Sequence, residues 1–157
     1  MKTEQLEEKH FEEFVRLAHT MQRECEPDIP LDEHELLTNM YSCINDPNRE
    51  YINAWLAYDD DKLVGMGVAT CSKYLFSTYK GSLMHFWYVS PDYRQSSAGI
   101  HILKEFLKWS KKLHAHRAHF GADRVHSDVT NINEALHKCG FTKFGEQFYK
   151  RLDNNGR

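Results

Sequence analysis

The chain has 157 residues, of which 41% are hydrophobic and 27% are charged, and its formal net charge is −3. That length fits one globular domain, so a single domain over residues 1–157 is predicted. No apolar run reaches the roughly 20 residues of a membrane-spanning helix, and the first residues lack the apolar centre of a signal peptide, which predicts a cytoplasmic protein with no membrane partner. The acidic net charge excludes the basic surface typical of nucleic-acid-binding domains.

Two amphipathic helices are predicted first along the chain. Apolar residues recur at helical spacing between about residues 7 and 23. Asp32 followed by Glu35 has the spacing of a capping box, which predicts a second helix that runs to Asp46 and Pro47. In this prediction both helices precede the sheet.

Three antiparallel strands are predicted next. Residues 51–58 and 62–72 form a hairpin around a turn at residues 59–61, and residues 83–89 form the third strand. The segment 73–81 that leads into the third strand contains apolar residues and offers a surface for a partner. A homodimer is therefore one expectation.

The second half of the chain is predicted to alternate helices and strands. A helical face runs from Ile102 to Leu113, followed by a strand at residues 123–129, a short helix at residues 133–138 and a closing strand at residues 141–152. The histidine-rich residues 114–119 are assigned to a solvated helix end. No cysteine or carboxylate completes a metal-ligand set there at a recognised spacing, so no metal is expected.

The most informative stretch is residues 94–100, which reads Arg-Gln-Ser-Ser-Ala-Gly-Ile between the third strand and the long helix. A strand, a short loop and a helix leave several backbone N–H groups unpaired at the helix N-terminus. These groups and the helix dipole favour an anion such as a pyrophosphate. Small side chains let the anion approach the backbone.

As Arg/Gln-x-x-Gly-x-Gly/Ala, this stretch resembles the acyl-CoA pyrophosphate loop of the GCN5-related N-acetyltransferase (GNAT) family, with Arg94, Ser97 and Gly99 at the motif positions. Serine replaces the first glycine, and we expect it to cost both tolerance of positive φ and room for the ligand. The asparagines before the last helix and the Gly140-Phe141 entry into the final strand are also similar to the family. The spacing is most similar to bacteriophage-encoded members.

The resemblance covers most of the chain and implies an α/β (α+β) fold, with a central mixed, mostly antiparallel sheet flanked by helices. In such a fold the strand carrying Trp87 splays from its neighbour, expected at residues 123–129, and pantetheine lies in the gap. Backbone groups of Tyr88 and Val89 would pair with the pantetheine, and Asn131 and Asn133 would contact its arm. The residues implied to hold the pyrophosphate are Arg94, Gln95, Ser96, Ser97, Ala98 and Gly99.

The implied reaction needs a base near neutral pH to accept a proton from the attacking amine, and histidine meets that requirement unperturbed. His85 and His126 are the candidates, with Asp128 as a third; an ordinary hydrogen-bonded histidine is the alternative for each. Leu136 stands where the family usually has a tyrosine as general acid. Tyr88, water or no donor at all are the alternatives for protonating the leaving thiolate.

The resemblance implies an enzyme that transfers an acetyl group from acetyl-CoA to a primary amine by direct attack in a ternary complex. Between Glu24 and Asp46 there are seven acidic residues and no lysine or arginine, which favours a small cationic amine or a protein amine as acceptor. Helix capping is the competing explanation for Asp32, Glu33 and Glu35. The alternative functions are a catalytically inactive CoA-binding or protein-interaction module on the same fold, and an unrelated α/β protein.

Overall fold

The computed structural model of the chain describes residues 1–121, 129–145 and 150–152. The elements in order are β1 (Lys2–Gln5), α1 (Phe11–Cys25), α2 (Glu33–Asn45), β2 (Ile52–Asp59), β3 (Lys62–Lys73), β4 (Lys80–Val89), α3 (Ala98–Lys112), β5 (Ala115–Phe120) and α4 (Val129–Lys138). Short 3₁₀ helices precede α1 at Glu8–His10 and follow β4 at Pro91–Tyr93.

The described strands form one sheet in the order β1-β2-β3-β4-β5. Every neighbouring pair is antiparallel except β4 and β5, which are parallel because α3 crosses over between them. This confirms the mixed, mostly antiparallel sheet. The predicted β2–β3 turn is also present, with Asp60 at a φ of 50°.

Helices cover both faces of the sheet, which places a hydrophobic core on each side. Helices α1 and α2 pack on one face and α3 on the other. Strand β2 lies between the two cores, and seven of its eight residues are buried. Its largely apolar sequence, which the buried Asn53 interrupts, follows from burial on both faces.

Strand β1 corrects the prediction that both helices precede the sheet. Residues Lys2–Gln5 pair antiparallel with β2, from Lys2 opposite Tyr58 to Gln5 opposite Trp55. The segment is short and polar, so it shows no apolar alternation. Backbone pairing at the sheet edge makes it a strand.

Strand β5 corrects the assignment of residues 114–119 to a helix end. Helix α3 ends at Lys112, His114 has a φ of 56°, and the chain then pairs with β4. The predicted strand at 123–129 lies outside the described residues except for Val129, which begins α4. The neighbour of β4 in the described sheet is therefore β5.

Helix α4 is longer than the predicted 133–138 and ends where Gly140 was expected to cap it. Gly140 has a φ of 84°, its N–H donates to His137 O at 2.9 Å, and Phe141 N–H donates to Leu136 O at 3.0 Å. This is a Schellman cap. In the predicted closing strand, the described residues 141–145 and 150–152 are not in a strand.

The described helices include none that is both long enough and apolar enough to span a bilayer. All four cysteines are free thiols, and Cys43 and Cys71 are buried. Burial raises the pKa of both buried thiols.

Candidate active site

Strand β4 is paired with β5 over only the first half of its length. The pairing runs from Lys80 opposite Ala115 to Met84 opposite Phe120. In the part of the chain that the structure describes, β4 residues 85–89 have no partner on the β5 side. The implied splay between β4 and residues 123–129 stays a prediction, because all of those residues except Val129 lie outside the described part of the chain.

Backbone groups at the end of β4 alternate between the β3 side and the opposite side of the strand. Ser90 N–H donates to Val64 O of β3 at 2.8 Å. Because successive residues of a strand direct N–H and C=O to opposite sides, those of Val89 point away from β3 and those of Tyr88 toward it. The Val89 carbonyl accepts from Arg94 Nε at 3.2 Å. Of the two residues, Val89 directs its backbone to the side away from β3.

In the loop between β4 and α3, the Ser96 side chain bridges two backbone groups. Ser96 Oγ donates to Tyr93 O at 2.6 Å and accepts from Ala98 N–H at 3.2 Å. Among the described residues, no backbone carbonyl accepts from the N–H groups of Ser97, Gly99 or Ile100. These donors lie at the positive end of a 15-residue helix, so they can bind an anion.

The small residues of the loop have different environments. Ala98 is fully buried in the core beneath α3, whereas Gln95 and Ser97 are exposed. Ser97 has a φ of −80°, which serine adopts without strain. The expectation that serine would be strained by a positive φ at this position is therefore wrong.

Gly99 is required by a tryptophan that the loop pattern did not indicate. A Cβ on Gly99 would lie 2.7 Å from Trp87 Cζ2, closer than real contacts allow. Trp87 Nε1 also donates to Gly99 O at 3.0 Å. The sequence signal was a large aromatic residue in the strand that precedes the small-residue loop.

A carboxylate of α1 joins the end of β4 to the loop. Glu24 Oε2 accepts from Tyr88 OH at 2.7 Å, and Glu24 Oε1 forms an ion pair with Arg94 Nη2. Burial, followed by the hydrogen bond to Glu24, raises the pKa of Tyr88. The phenol is therefore protonated at neutral pH, and its proton points to Glu24.

His85 is the candidate base that lies within the described residues. The β3–β4 pairing skips it, which makes it the extra residue of a β-bulge. His85 Nε2 lies 2.7 Å from Thr70 Oγ1. Although the residue is exposed, partial desolvation of its ring lowers the pKa of His85, which favours the neutral imidazole. His126 and Asp128 lie outside the described residues.

The remaining predicted site residues are on α4. Asn133 is exposed on this helix, and the side chain of Asn131 lies outside the described part of the structure. Among the described side chains, no group of three or more histidines, cysteines or carboxylates is arranged to hold a metal ion.

Many carboxylates of the acidic stretch have partners within the protein. Asp28 pairs with Arg151 at 3.1 Å, and Glu33 Oε1 lies 2.6 Å from His19 Nε2. Asp32 accepts from Glu35 N–H at 3.1 Å and caps α2. Capping and ion pairing thus account for part of this charge.

A model of the acetyltransferase (GNAT) family matches residues 11–141. The chain belongs to the acetyltransferase (GNAT) family. It is therefore an acyl-CoA-dependent N-acyltransferase, and the matched region contains the end of β4, the loop and α3. No curated protein sequence matches the chain.

Solved acetyltransferase structures share this fold. AAC(6′)-Iy in complex with the bisubstrate analogue CoA-S-monomethyl-acetylneamine is 15% identical, with a TM-score of 0.74 and 97% of each chain covered. An aminoglycoside acetyltransferase from an uncultured soil metagenomic sample, in complex with sisomicin, is 16% identical, with a TM-score of 0.73 and coverage of 97% of this chain and 96% of that one. The apo aminoglycoside 6′-N-acetyltransferase AAC(6′)-IG from Acinetobacter haemolyticus is 18% identical, with a TM-score of 0.70 and coverage of 98% and 100%.

Proposed function

We propose that this GNAT enzyme transfers an acetyl group from acetyl-CoA to a primary amine by direct attack within a ternary complex. The observation that carries the proposal is the position of the N–H groups of Ser97, Gly99 and Ile100, which donate to no backbone carbonyl among the described residues. They follow the end of β4, where the backbone of Val89 points away from β3. The first feature suits a pyrophosphate, and the second suits an extended pantetheine. Acetyl-CoA carries these two groups in sequence.

The loop residues have separate tasks in this proposal. Ser97 and Gly99 donate backbone N–H groups to the pyrophosphate, and the exposed Ser97 hydroxyl adds a donor. Arg94 adds a charge-assisted hydrogen bond. Ser96 shapes the loop through the hydrogen bond that its Oγ accepts from Ala98 N–H. Ala98 shapes it through its burial in the core beneath α3. Roles for the side chains of Gln95, Asn131 and Asn133 toward the cosubstrate stay predictions.

His85 is the base in this proposal. Its lowered pKa keeps the imidazole neutral at pH 7, so it can accept a proton from the amine directly or through water. Tyr88 can protonate the leaving thiolate only if its hydrogen bond to Glu24 breaks, so water is the simpler donor. His126 stays the alternative base.

The acceptor is a small cationic amine in this proposal, with a protein amine as the second class. Residues 24–46 contain no lysine or arginine, and a region of one charge sign raises the local concentration of oppositely charged ligands. Two of the similar structures are aminoglycoside acetyltransferases, whose substrates are polycationic amines.

Incubation of the protein with acetyl-CoA and a panel of acceptors tests the proposal. The panel contains spermidine, an aminoglycoside and a lysine peptide, with an alcohol of similar size as the control. Mass spectrometry should detect acetylated product from amines alone, and the initial-rate lines should intersect. Parallel lines would contradict direct attack in a ternary complex.

Binding of acetyl-CoA without transfer to any amine would favour the inactive CoA-binding module. One observation favours that alternative: Leu136, at the position of the family's usual tyrosine, is partly buried against the core beneath α3 and offers no proton.

A further inference from the structure

Glu24 is the last charged residue of α1 and contacts two segments that lie far along the chain. Its carboxylate accepts from Tyr88 OH at 2.7 Å and pairs with Arg94 Nη2. Arg94 Nε donates to Val89 O at 3.2 Å. One carboxylate therefore fixes both the end of β4 and the first residue of the loop.

These contacts are largely shielded from water. The side chains of Glu24 and Arg94 are 29% and 25% exposed, and Tyr88 is 2% exposed. Exposed ion pairs contribute little because solvent screens them, but this pair has lost most of its solvent. Removal of either partner would leave the other charge partly buried and uncompensated.

The pairing orients the Arg94 guanidinium and leaves it able to bind a further group. A guanidinium carries five N–H groups in a planar fork. The bonds to Val89 O and Glu24 engage the edge formed by Nε and Nη2. No described residue accepts a hydrogen bond from Nη1, so its N–H groups can bind an anion. A side chain that is already ordered loses less entropy when it binds a phosphate.

We propose that Glu24 is the positioning residue of the acetyl-CoA site: it holds Arg94 in the orientation that the pyrophosphate needs, without touching the ligand. This role rests on the proposed function, because the ligand is acetyl-CoA. It assigns Glu24 to the cosubstrate side of the cleft, whereas the acidic stretch alone suggested attraction of the amine.

A double-mutant cycle on Glu24 and Arg94 tests this role. Calorimetry should show that Glu24→Ala and Arg94→Ala each weaken acetyl-CoA binding by about tenfold. The double variant should bind no more weakly than Arg94→Ala, because Glu24 acts through Arg94. Fully additive losses would overturn the proposal. Glu12→Ala is the matched control on the same helix, since Glu12 is 88% exposed, and it should leave the Kd unchanged.

A shortened cosubstrate separates positioning from a general loss of structure. S-acetylpantetheine lacks the pyrophosphate, so Glu24→Ala should leave kcat/KM for it unchanged while kcat/KM for acetyl-CoA falls about tenfold. An equal fall with both cosubstrates would overturn the proposal. If Glu24→Ala does not fold, Glu24→Gln provides the same comparison with an isosteric side chain.

The wild-type protein distinguishes failure of this role from failure of the proposed function. If the wild type does not bind acetyl-CoA, both are wrong. If the wild type binds acetyl-CoA and both Glu24 variants bind it equally well, only the positioning role is wrong.

Discussion

Ser97 and Gly99 lie two positions apart at the start of α3, and their surroundings constrain the size of the side chain differently. Gly99 lies against the Trp87 ring, while Ser97 is exposed and has an unstrained φ of −80°. A small residue at position 99 therefore serves packing. A small residue at position 97 leaves the backbone accessible to a ligand.

Gly99→Ala is expected to lower the free energy of unfolding by about 1–3 kcal/mol, because overpacking a filled space forces its neighbours to move. The added Cβ would lie 2.7 Å from Trp87 Cζ2 and 3.3 Å from Cε2. Urea unfolding measures the change, and Ser97→Ala is the matched control, expected to stay within about 0.5 kcal/mol. Equal stability of Gly99→Ala and the wild type would show that the indole does not constrain position 99.

His85 is expected to set the acidic limb of the pH–rate profile. Because partial desolvation lowers the pKa of His85, kcat/KM should decline only below the ordinary histidine value of about 6.5. His85→Gln should remove this limb and lower kcat about 100-fold. His34→Gln, which changes an exposed histidine of α2, should alter neither. An unchanged limb in His85→Gln would assign the base to another residue.

The lowered pKa of His85 also makes the stability of the protein depend on pH. The folded chain protonates His85 less readily than the unfolded chain does. The unfolded state therefore binds more protons as the pH falls below about 6.5, and the free energy of unfolding declines in that range. His85→Gln should remove this contribution, which urea unfolding at several pH values measures.

At the scale of elements, the wide apolar faces of α1, α2 and α3 and the buried strands β2, β3 and β4 made them predictable from spacing. Strands β1 and β5 have polar sequences, Lys-Thr-Glu-Gln and Ala-His-Arg-Ala-His-Phe, without that signal. They become strands because β2 and β4 offer backbone partners. Local periodicity does not contain that information.

The passage from α3 into β5 depends on a left-handed residue. His114 has a φ of 56°, a conformation that costs a residue with a Cβ more than it costs glycine. His114→Gly should therefore raise the free energy of unfolding by roughly 0.5–1 kcal/mol. The same change at His116, inside β5, should lower it by a similar amount. Chemical denaturation measures both, and a loss of stability in both variants would contradict the argument.

At the scale of the whole molecule, helices from both layers contact the end of β4. Glu24 of α1 contacts it from one face, and Trp87 links it to the start of α3 on the other. The loop motif identified the candidate site in the sequence. The Glu24 contacts could not be predicted, because an ion pair between residues 24 and 94 leaves no trace in local spacing.

Other expectations about the whole molecule stay predictions. The segment between β3 and β4 exposes Leu75, Phe76 and Tyr79, which is consistent with a homodimer. The cytoplasmic location and the phage origin likewise stay predictions.

Calorimetric titration of acetyl-CoA into the wild type, Ser97→Gln and Ser97→Glu tests whether the cosubstrate binds at the start of α3. At a separation of about 6 Å and an effective dielectric constant of about 40, the added carboxylate would repel the pyrophosphate by roughly 1.4 kcal/mol. We expect Ser97→Glu to bind about tenfold more weakly than Ser97→Gln, while both fold, because position 97 is exposed. Equal affinity of the two variants, or no saturable binding by the wild type, would contradict an acetyl-CoA site at the start of α3.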